Sequence, residues 1–264
     1  MTSDERLALV RLKIERAKEH IGDLDVAVRA FWESRPYEVS TKRDDQTRKL
    51  IYYASKVERT PDRLATITGD IIQNLRSALD HLAYQLFLVG TNGKVSGRHV
   101  YFPIFADSKE YMAESPRKIK GMRQSAIDAL ALSQPYKGGN GDNLWVLNEL
   151  NVTDKHRLLI AVASSHQSVN VGALGMAMLE KLIGHSLPPL DAFLKVGDTL
   201  TPLKVGDELF IDGPDAEVNQ KMTFRFNIAL NEPGICDGKA LLETVQHLHD
   251  AVSDLVMRFR PFLA

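Results

Sequence analysis

The sequence predicts an α+β fold in which helices and strands occupy separate stretches of the chain. Apolar residues recur at helical spacing near both ends and in the second quarter, whereas two other stretches carry short β-favouring runs. Because the two kinds of element occur in blocks and do not alternate, the pattern indicates a helical bundle with an antiparallel sheet. We expect residues 1–264 to form a single α+β domain, since both terminal helices need the long middle helix for burial.

The composition excludes several classes of protein. Hydrophobic residues make up 44% and charged residues 25%, which is enough apolar surface to exclude disorder as the main state. A net charge of −1 argues against a protein that coats nucleic acid non-specifically. The single Cys236 excludes an internal disulfide and any multi-cysteine metal site. The charged N-terminal stretch and the absence of a long apolar run predict a cytoplasmic protein that does not span a membrane.

Four principal helices are predicted from stripes of apolar residues. The first covers about residues 3–31 and the second, which has the strongest stripe, covers about 61–89. A third helical region, about 143–163, consists of two pieces, about 143–151 and 154–163. The last helix covers about 238–260 and is ended by a proline.

Strands are predicted in two regions, about residues 37–56 and about 168–230. The first region reads as a hairpin around a polar turn, because two β-favouring runs flank four charged residues. The second region contains four β-favouring runs, at about residues 168–174, 198–203, 207–211 and 222–230. We expect the hairpin and the later strands to join in one antiparallel sheet beside the bundle.

The polar side of the second helix is the first candidate site. Arg76 and Asp80 are four residues apart and can form an ion pair. Ser77 and His81 have the same spacing and can share a hydrogen bond, and Asn74 lies on the same side. A solvated helix face with an ordinary surface ion pair accounts equally for these residues.

The second candidate segment surrounds Asp154. Either Asp154 or Thr153 is expected to cap a helix whose first turn contains Lys155, His156 and Arg157. Cations in a first turn oppose the helix dipole, so they call for a carboxylate or a bound anion nearby. Alternatively, Asp154 compensates them alone as the cap. We therefore expect Asp80 or His81 to lie within side-chain reach of Asp154, His156 or Arg157.

Two resemblances to known families rest on these segments. Arg76, four intervening residues and His81 on a bundle helix resemble the short signature of the HEPN superfamily. The segments NLRSALDHLAYQL, YFPI, Leu144-Trp145 and NVTDKHR are similar to a family of bacterial and phage proteins that brings no biochemical role with it.

The HEPN resemblance implies metal-independent cleavage of RNA at the interface of a homodimer, in a toxin or defence role. It implies that His81 is the general base on a ribose 2′-hydroxyl and that Arg76 stabilises charge on the scissile phosphate. This chemistry requires neither a metal ion nor a cofactor.

Two other functions fit the same residues. A non-catalytic interaction protein would use them as a buried polar network that fixes helix packing. That network would consist of Arg76, Asp80, His81, Asp154, His156 and Arg157. Alternatively, the cluster would bind a small anion between bundle and sheet. An open cleft around Arg76 and His81 favours the nuclease, whereas a closed network favours the structural role.

Overall fold

The computed structural model describes residues 1–93, 97, 99–159, 161–163, 168–185, 193–195, 202–214, 216–219 and 222–264. Helices and antiparallel strands occupy largely separate stretches, so the α+β class is confirmed. The chain divides into two compact units. The first unit comprises Met1–Ala27, Arg63–Leu159 and Leu242–Ala264, and the second comprises Val28–Asp62 and Ile160–Leu241. Each unit combines stretches that are distant in sequence, so the division does not separate two consecutive domains.

Seven α-helices are assigned within the described residues. They are α1 (Ser3–Glu33), α2 (Asp62–Thr91), α3 (Ser108–Lys118), α4 (Gln124–Ser133), α5 (Asp142–His156), α6 (Val171–Ile183) and α7 (Leu241–Arg258). A short 3₁₀ helix follows at Arg260–Leu263. In the described part of the chain, no helix is both long and apolar enough to cross a membrane.

The core of the first unit is built around α2. Leu75, Leu79 and Leu82 of this helix are completely buried, as the apolar stripe predicts. Two side-chain contacts show that α1 runs antiparallel to α2. Arg6 donates to the Gln85 amide oxygen near one end, and Lys13 approaches Asn74 farther along.

Helix α5 differs from its prediction in one important respect. It runs without interruption to His156, and residues 161–163 form a strand, so the predicted helix over 143–163 is wrong beyond His156. Asp154 therefore lies in the last turn and is not an N-cap. Lys155 and His156 also lie in the last turn, where cations interact favourably with the helix dipole. No compensating anion is required there.

The described strands form three antiparallel sheets of three strands each, and not the single predicted sheet. The first contains the confirmed hairpin of β1 (Tyr37–Arg43) and β2 (Leu50–Val57), which pairs with β6 (Glu208–Asp212). The second contains β3 (Ala161–Ala163), β8 (Ile228–Glu232) and β9 (Cys236–Ala240). The third contains β4 (Ser168–Asn170), β5 (Phe193–Lys195) and β7 (Phe224–Arg225).

Two further boundaries in the second unit differ from expectation. The predicted strand over residues 168–174 is wrong after Asn170, because α6 begins at Val171. The last helix begins at Leu241, three residues later than predicted, because Cys236–Ala240 pairs with β8. Most of the run predicted at residues 198–203 lies outside the described residues.

Candidate functional site

Each nitrogen of the Arg76 guanidinium has a partner within the first unit. Nε donates to the side-chain oxygen of Asn148 on α5 at 3.1 Å. One terminal nitrogen donates to the Asp80 carboxylate, and the other donates to the Phe102 carbonyl oxygen at 3.3 Å. Only 11% of the Arg76 side chain is exposed. Arg76 is therefore held inside a closed hydrogen-bonded network.

Asp80 completes this network, because the oxygen that binds Arg76 also accepts the backbone N–H of Phe102 at 2.9 Å. The Phe102 side chain is fully buried. The Arg76–Asp80 pair thus joins α2, α5 and the extended segment around Phe102. The confirmed ion pair is a junction between elements and not an ordinary surface pair.

The other predicted residues on α2 do not share this network. His81 is exposed and makes no hydrogen bond or ion pair with the residues that the structure describes. The expected bond between Ser77 and His81 is absent there, and the Ser77 hydroxyl accepts instead from Gln73 at 3.4 Å. Asn74 donates to the Asp70 carbonyl oxygen, one turn earlier.

Asp154 belongs to α5, and it meets α2 at a point too far from Asp80 for the two carboxylates to touch. Its carboxylate packs against Gly69, where an added Cβ would come within 2.5 Å of Oδ1. Since Asn148 meets Arg76 and Asp154 meets Gly69, α5 runs antiparallel to α2. At 1.5 Å per residue, Gly69 is about 16 Å from Asp80 along the helix. The predicted contact between Asp80 and Asp154 is therefore wrong.

The environment of Asp154 is acidic and not cationic. Burial, followed by the charge of Asp70, raises the pKa of the Asp154 carboxyl. His156 and Arg157 are exposed at the end of α5, and Arg157 donates to the Leu158 carbonyl oxygen. The six residues expected in one network are therefore divided between separate surroundings.

A cavity of about 820 Å³ lies beside the C-terminal end of α2, and the sequence analysis did not single it out. Phe87, Val100 and Tyr101 provide aromatic and apolar walls. The basic side chains among its described lining residues are His99, Arg117, Lys118 and Lys120. None of the described lining residues is acidic. The cavity therefore combines an apolar wall with a positively charged rim.

Close backbone contact between α2 and the segment after α3 shapes this cavity. A Cβ at Gly90 would overlap the Gly121 carbonyl oxygen and lie 2.9 Å from the Met122 Cα atom. Gly121 has a φ angle of +97°, which favours glycine. A Cβ there would lie 2.9 Å from the Phe87 ring. Glycine at both positions lets the basic segment lie directly against α2.

Lys118 lines the cavity and is close enough to Arg76 and Asp80 for their charges to affect its ammonium group. Its Nζ lies 4.3 Å from the centroid of the Phe105 ring. Burial, followed by the charge of Arg76, lowers the pKa of the Lys118 ammonium, while Asp80 and Glu110 act in the opposite direction. Along α2, the cavity thus begins at Phe87, more than one helical turn beyond His81, the last site residue predicted there from sequence.

Sequence reasoning missed the cavity because its walls come from segments that are not adjacent in the chain. The one local signal is the basic run Arg117-Lys118-Ile119-Lys120. This run predicts a positive surface without indicating that residues 97 and 99–101 and the end of α2 face it.

The second unit contains a cavity of about 640 Å³ with a different character. Its described lining residues carry no charge and include Ser40, Thr41, Tyr52, Asn219 and Phe224. Within the described residues, no three His, Cys, Asp or Glu side chains converge as metal ligands would.

No protein-family model matches the chain, and neither the curated proteins nor the solved structures contain a match.

Proposed function

We propose that the protein binds a small anionic ligand in the cavity at the end of α2. The observation that carries this proposal is the basic lining, which has no acidic side chain among its described residues. A concave site lined by one sign of charge concentrates ligands of the opposite sign. The Phe87 and Tyr101 rings indicate that the ligand also has an apolar or aromatic part.

The surroundings of Arg76 favour a structural role for this residue over RNA cleavage. A guanidinium that is already bonded to Asp80, Asn148 and the Phe102 carbonyl would have to break these contacts to hold a phosphate. RNA cleavage by Arg76 and His81 stays a prediction, as do RNA binding and the homodimer that the HEPN resemblance implies. Exposure of His81 is the observation that keeps the cleavage hypothesis worth testing.

Calorimetric titration with phenyl phosphate tests the binding proposal, because this probe combines an aromatic ring with a phosphate. We expect saturable binding that weakens as salt increases, and no comparable binding of the uncharged phenol. Absence of phenyl phosphate binding at millimolar concentration would contradict the proposal.

Charge reversal at one rim position identifies the site of binding. Lys120→Glu should weaken phenyl phosphate binding about tenfold, because an attractive charge becomes repulsive at close range. Lys204→Glu is the matched control, since Lys204 is an exposed lysine outside the cavity. Equal affinity of the two variants would place the ligand elsewhere. Melting curves of both variants establish that they are folded.

A further inference from the structure

We infer that another cavity of the first unit, the α7 cavity, binds a small zwitterion of the apolar α-amino acid class. It has a volume of about 320 Å³ and is lined by the end of α4, the start of α5 and the second half of α7. It shares no described lining residue with the cavity at the end of α2. The inference therefore goes beyond the proposed binding of anions and does not depend on it.

The segment that precedes α5 gives the α7 cavity a fixed wall. The N–H of Gly141 donates to the Gln134 carbonyl oxygen at 3.1 Å. The N–H of Asn140 donates to the side-chain oxygen of Gln134, also at 3.1 Å. A Cβ at Gly141 would lie 2.7 Å from the Ser133 carbonyl oxygen, so this close approach requires glycine. These contacts hold the wall in place without a ligand.

Two opposite charges of α7 line the cavity and do not pair with each other. Asp254 and Arg258 are four residues apart, with the acid first, which is the order that favours an ion pair. The exposed Arg11 and Glu15 of α1 pair at 3.3 Å even in the less favourable order. In contrast, Nε of Arg258 donates to the Asp254 carbonyl oxygen at 3.4 Å. Among the residues that the structure describes, the Asp254 carboxylate and the terminal nitrogens of Arg258 have no partner, so both charges are available to a ligand.

The positions of these charges favour a ligand that carries both signs. The four-residue step separates Asp254 and Arg258 by about 6 Å along the axis of α7. At this distance Asp254 repels a simple anion near Arg258, and Arg258 repels a simple cation near Asp254. In an α-amino acid, one carbon atom carries both the ammonium and the carboxylate. The ammonium can therefore donate to Asp254 while the carboxylate accepts from Arg258.

The other polar side chains of the α7 cavity can add hydrogen bonds to such a ligand. The side-chain amides of Asn140 and Asn143 line it and have no partner within the described part of the chain. Ser133 donates its hydroxyl to the Leu130 carbonyl oxygen and keeps its oxygen lone pairs available. An amide can donate to a carboxylate and accept from an ammonium. These groups therefore suit both ends of a zwitterion.

The remaining side chains of the α7 cavity are apolar and indicate the kind of amino acid. Leu144 and Leu255 are buried lining residues, and Ala251 is partly buried between the charged positions and the core. The volume lies at the lower end of the range for small-molecule sites. An amino acid with an apolar side chain fits this combination, because its side chain covers the leucines while its charges remain at the rim.

Calorimetric titration with L-leucine and two of its derivatives tests the inference. N-acetyl-L-leucine lacks the ammonium charge, and L-leucinamide lacks the carboxylate. We expect saturable binding of L-leucine at millimolar concentration, and an affinity lower by about tenfold or more for each derivative, because each loses one charge-assisted contact. Absence of L-leucine binding, or equal binding of all three compounds, would overturn the inference.

Variants of the two charged residues locate the binding site. Asp254→Asn should weaken L-leucine binding about tenfold and remove the preference for L-leucine over N-acetyl-L-leucine. Arg258→Gln should weaken it similarly and remove the preference over L-leucinamide. Glu243→Gln is the matched control, since Glu243 is an exposed carboxylate of α7 outside the cavity. Melting curves establish that all three variants are folded. If folded Asp254→Asn and Arg258→Gln bind L-leucine as tightly as Glu243→Gln does, the inference is overturned.

Discussion

At the scale of single residues, the most consequential side chain is Arg76, whose guanidinium joins α2, α5 and the Phe102 segment. A helix-surface arginine normally contributes little through an ion pair with a residue four positions away. Here the pair is largely enclosed and also binds backbone groups. Removing the arginine would leave the Asn148 amide oxygen without this donor and the Asp80 carboxylate without its cationic partner, which costs more than the ion pair itself contributes.

Arg76→Ala should therefore lower the free energy of unfolding by about 2–3 kcal/mol, measured by urea denaturation. His81→Ala is the matched control on the same helix and should change it by less than about 0.5 kcal/mol, because His81 is exposed. Equal effects of the two substitutions would contradict the closed network.

The same variants test the RNA-cleavage hypothesis. Under that hypothesis, the wild-type protein cleaves single-stranded RNA in the presence of EDTA and leaves 2′,3′-cyclic phosphate ends. His81→Ala then abolishes cleavage in a folded protein, because it removes the base. An inactive wild-type protein together with an unstable Arg76→Ala variant would reject the hypothesis and support the structural network.

Asp154→Asn should stabilise the protein at neutral pH. The raised pKa of Asp154 means that the folded protein holds this proton more tightly than the unfolded chain. Stability is therefore lost as the pH rises from the unfolded pKa through the folded pKa. The gain in melting temperature should be present at pH 7 and should disappear at about pH 3, below the ordinary carboxyl pKa. Asp45→Asn, in the exposed hairpin turn, is the control.

At the scale of elements, helices with one apolar stripe could be predicted well, whereas junctions between elements could not. The stripe of α2 determines its bounds because Leu75, Leu79 and Leu82 must all face the core. The end of α5 could not be read in this way, because Asp154 is compatible both with a helix cap and with a last turn. Likewise, the stretch that begins as β4 and continues as α6 carries no local sequence signal at the point where the strand ends and the helix begins.

Glycine substitutions test the contact between α2 and the segment after α3. Gly22→Ala in α1 should raise stability by about 0.5–1 kcal/mol, because an added Cβ meets nothing within 4 Å and alanine favours helix. Gly90→Ala in α2 should lower it by about 1–3 kcal/mol, because the Cβ overlaps backbone atoms that cannot move independently. Urea denaturation of the two variants compares them directly, and a stabilising Gly90→Ala would contradict the close contact.

At the scale of the whole molecule, the fold class follows from the sequence but the candidate site does not. Arg76 and Asp80 pair as their spacing predicts, because that contact lies within one helix. Their link to Asn148 and Phe102, and the cavity beyond them, depend on how distant segments pack. Long-range packing of this kind is decided by the total fit of the core and leaves no periodic signal in the sequence.

Leu79→Ala should reduce the free energy of unfolding by about 2–5 kcal/mol, because Leu79 is completely buried at the centre of α2. Leu132→Ala in α4 is the matched control, since this leucine is 78% exposed and should change stability by less than about 0.5 kcal/mol. Urea denaturation measures both, and an unchanged midpoint for Leu79→Ala would mean that α2 is not part of a close-packed core.

The composition of the first unit from three separated stretches has a consequence during synthesis on the ribosome. Met1–Ala27 leaves the ribosome before Leu242–Ala264, although both stretches belong to the same unit. At roughly 5–20 residues per second, about 10–45 s separate the two. For that interval the apolar side of α1 lacks part of its final surroundings. Ribosome-associated chaperones that cover exposed apolar segments should therefore bind the nascent chain until α7 emerges.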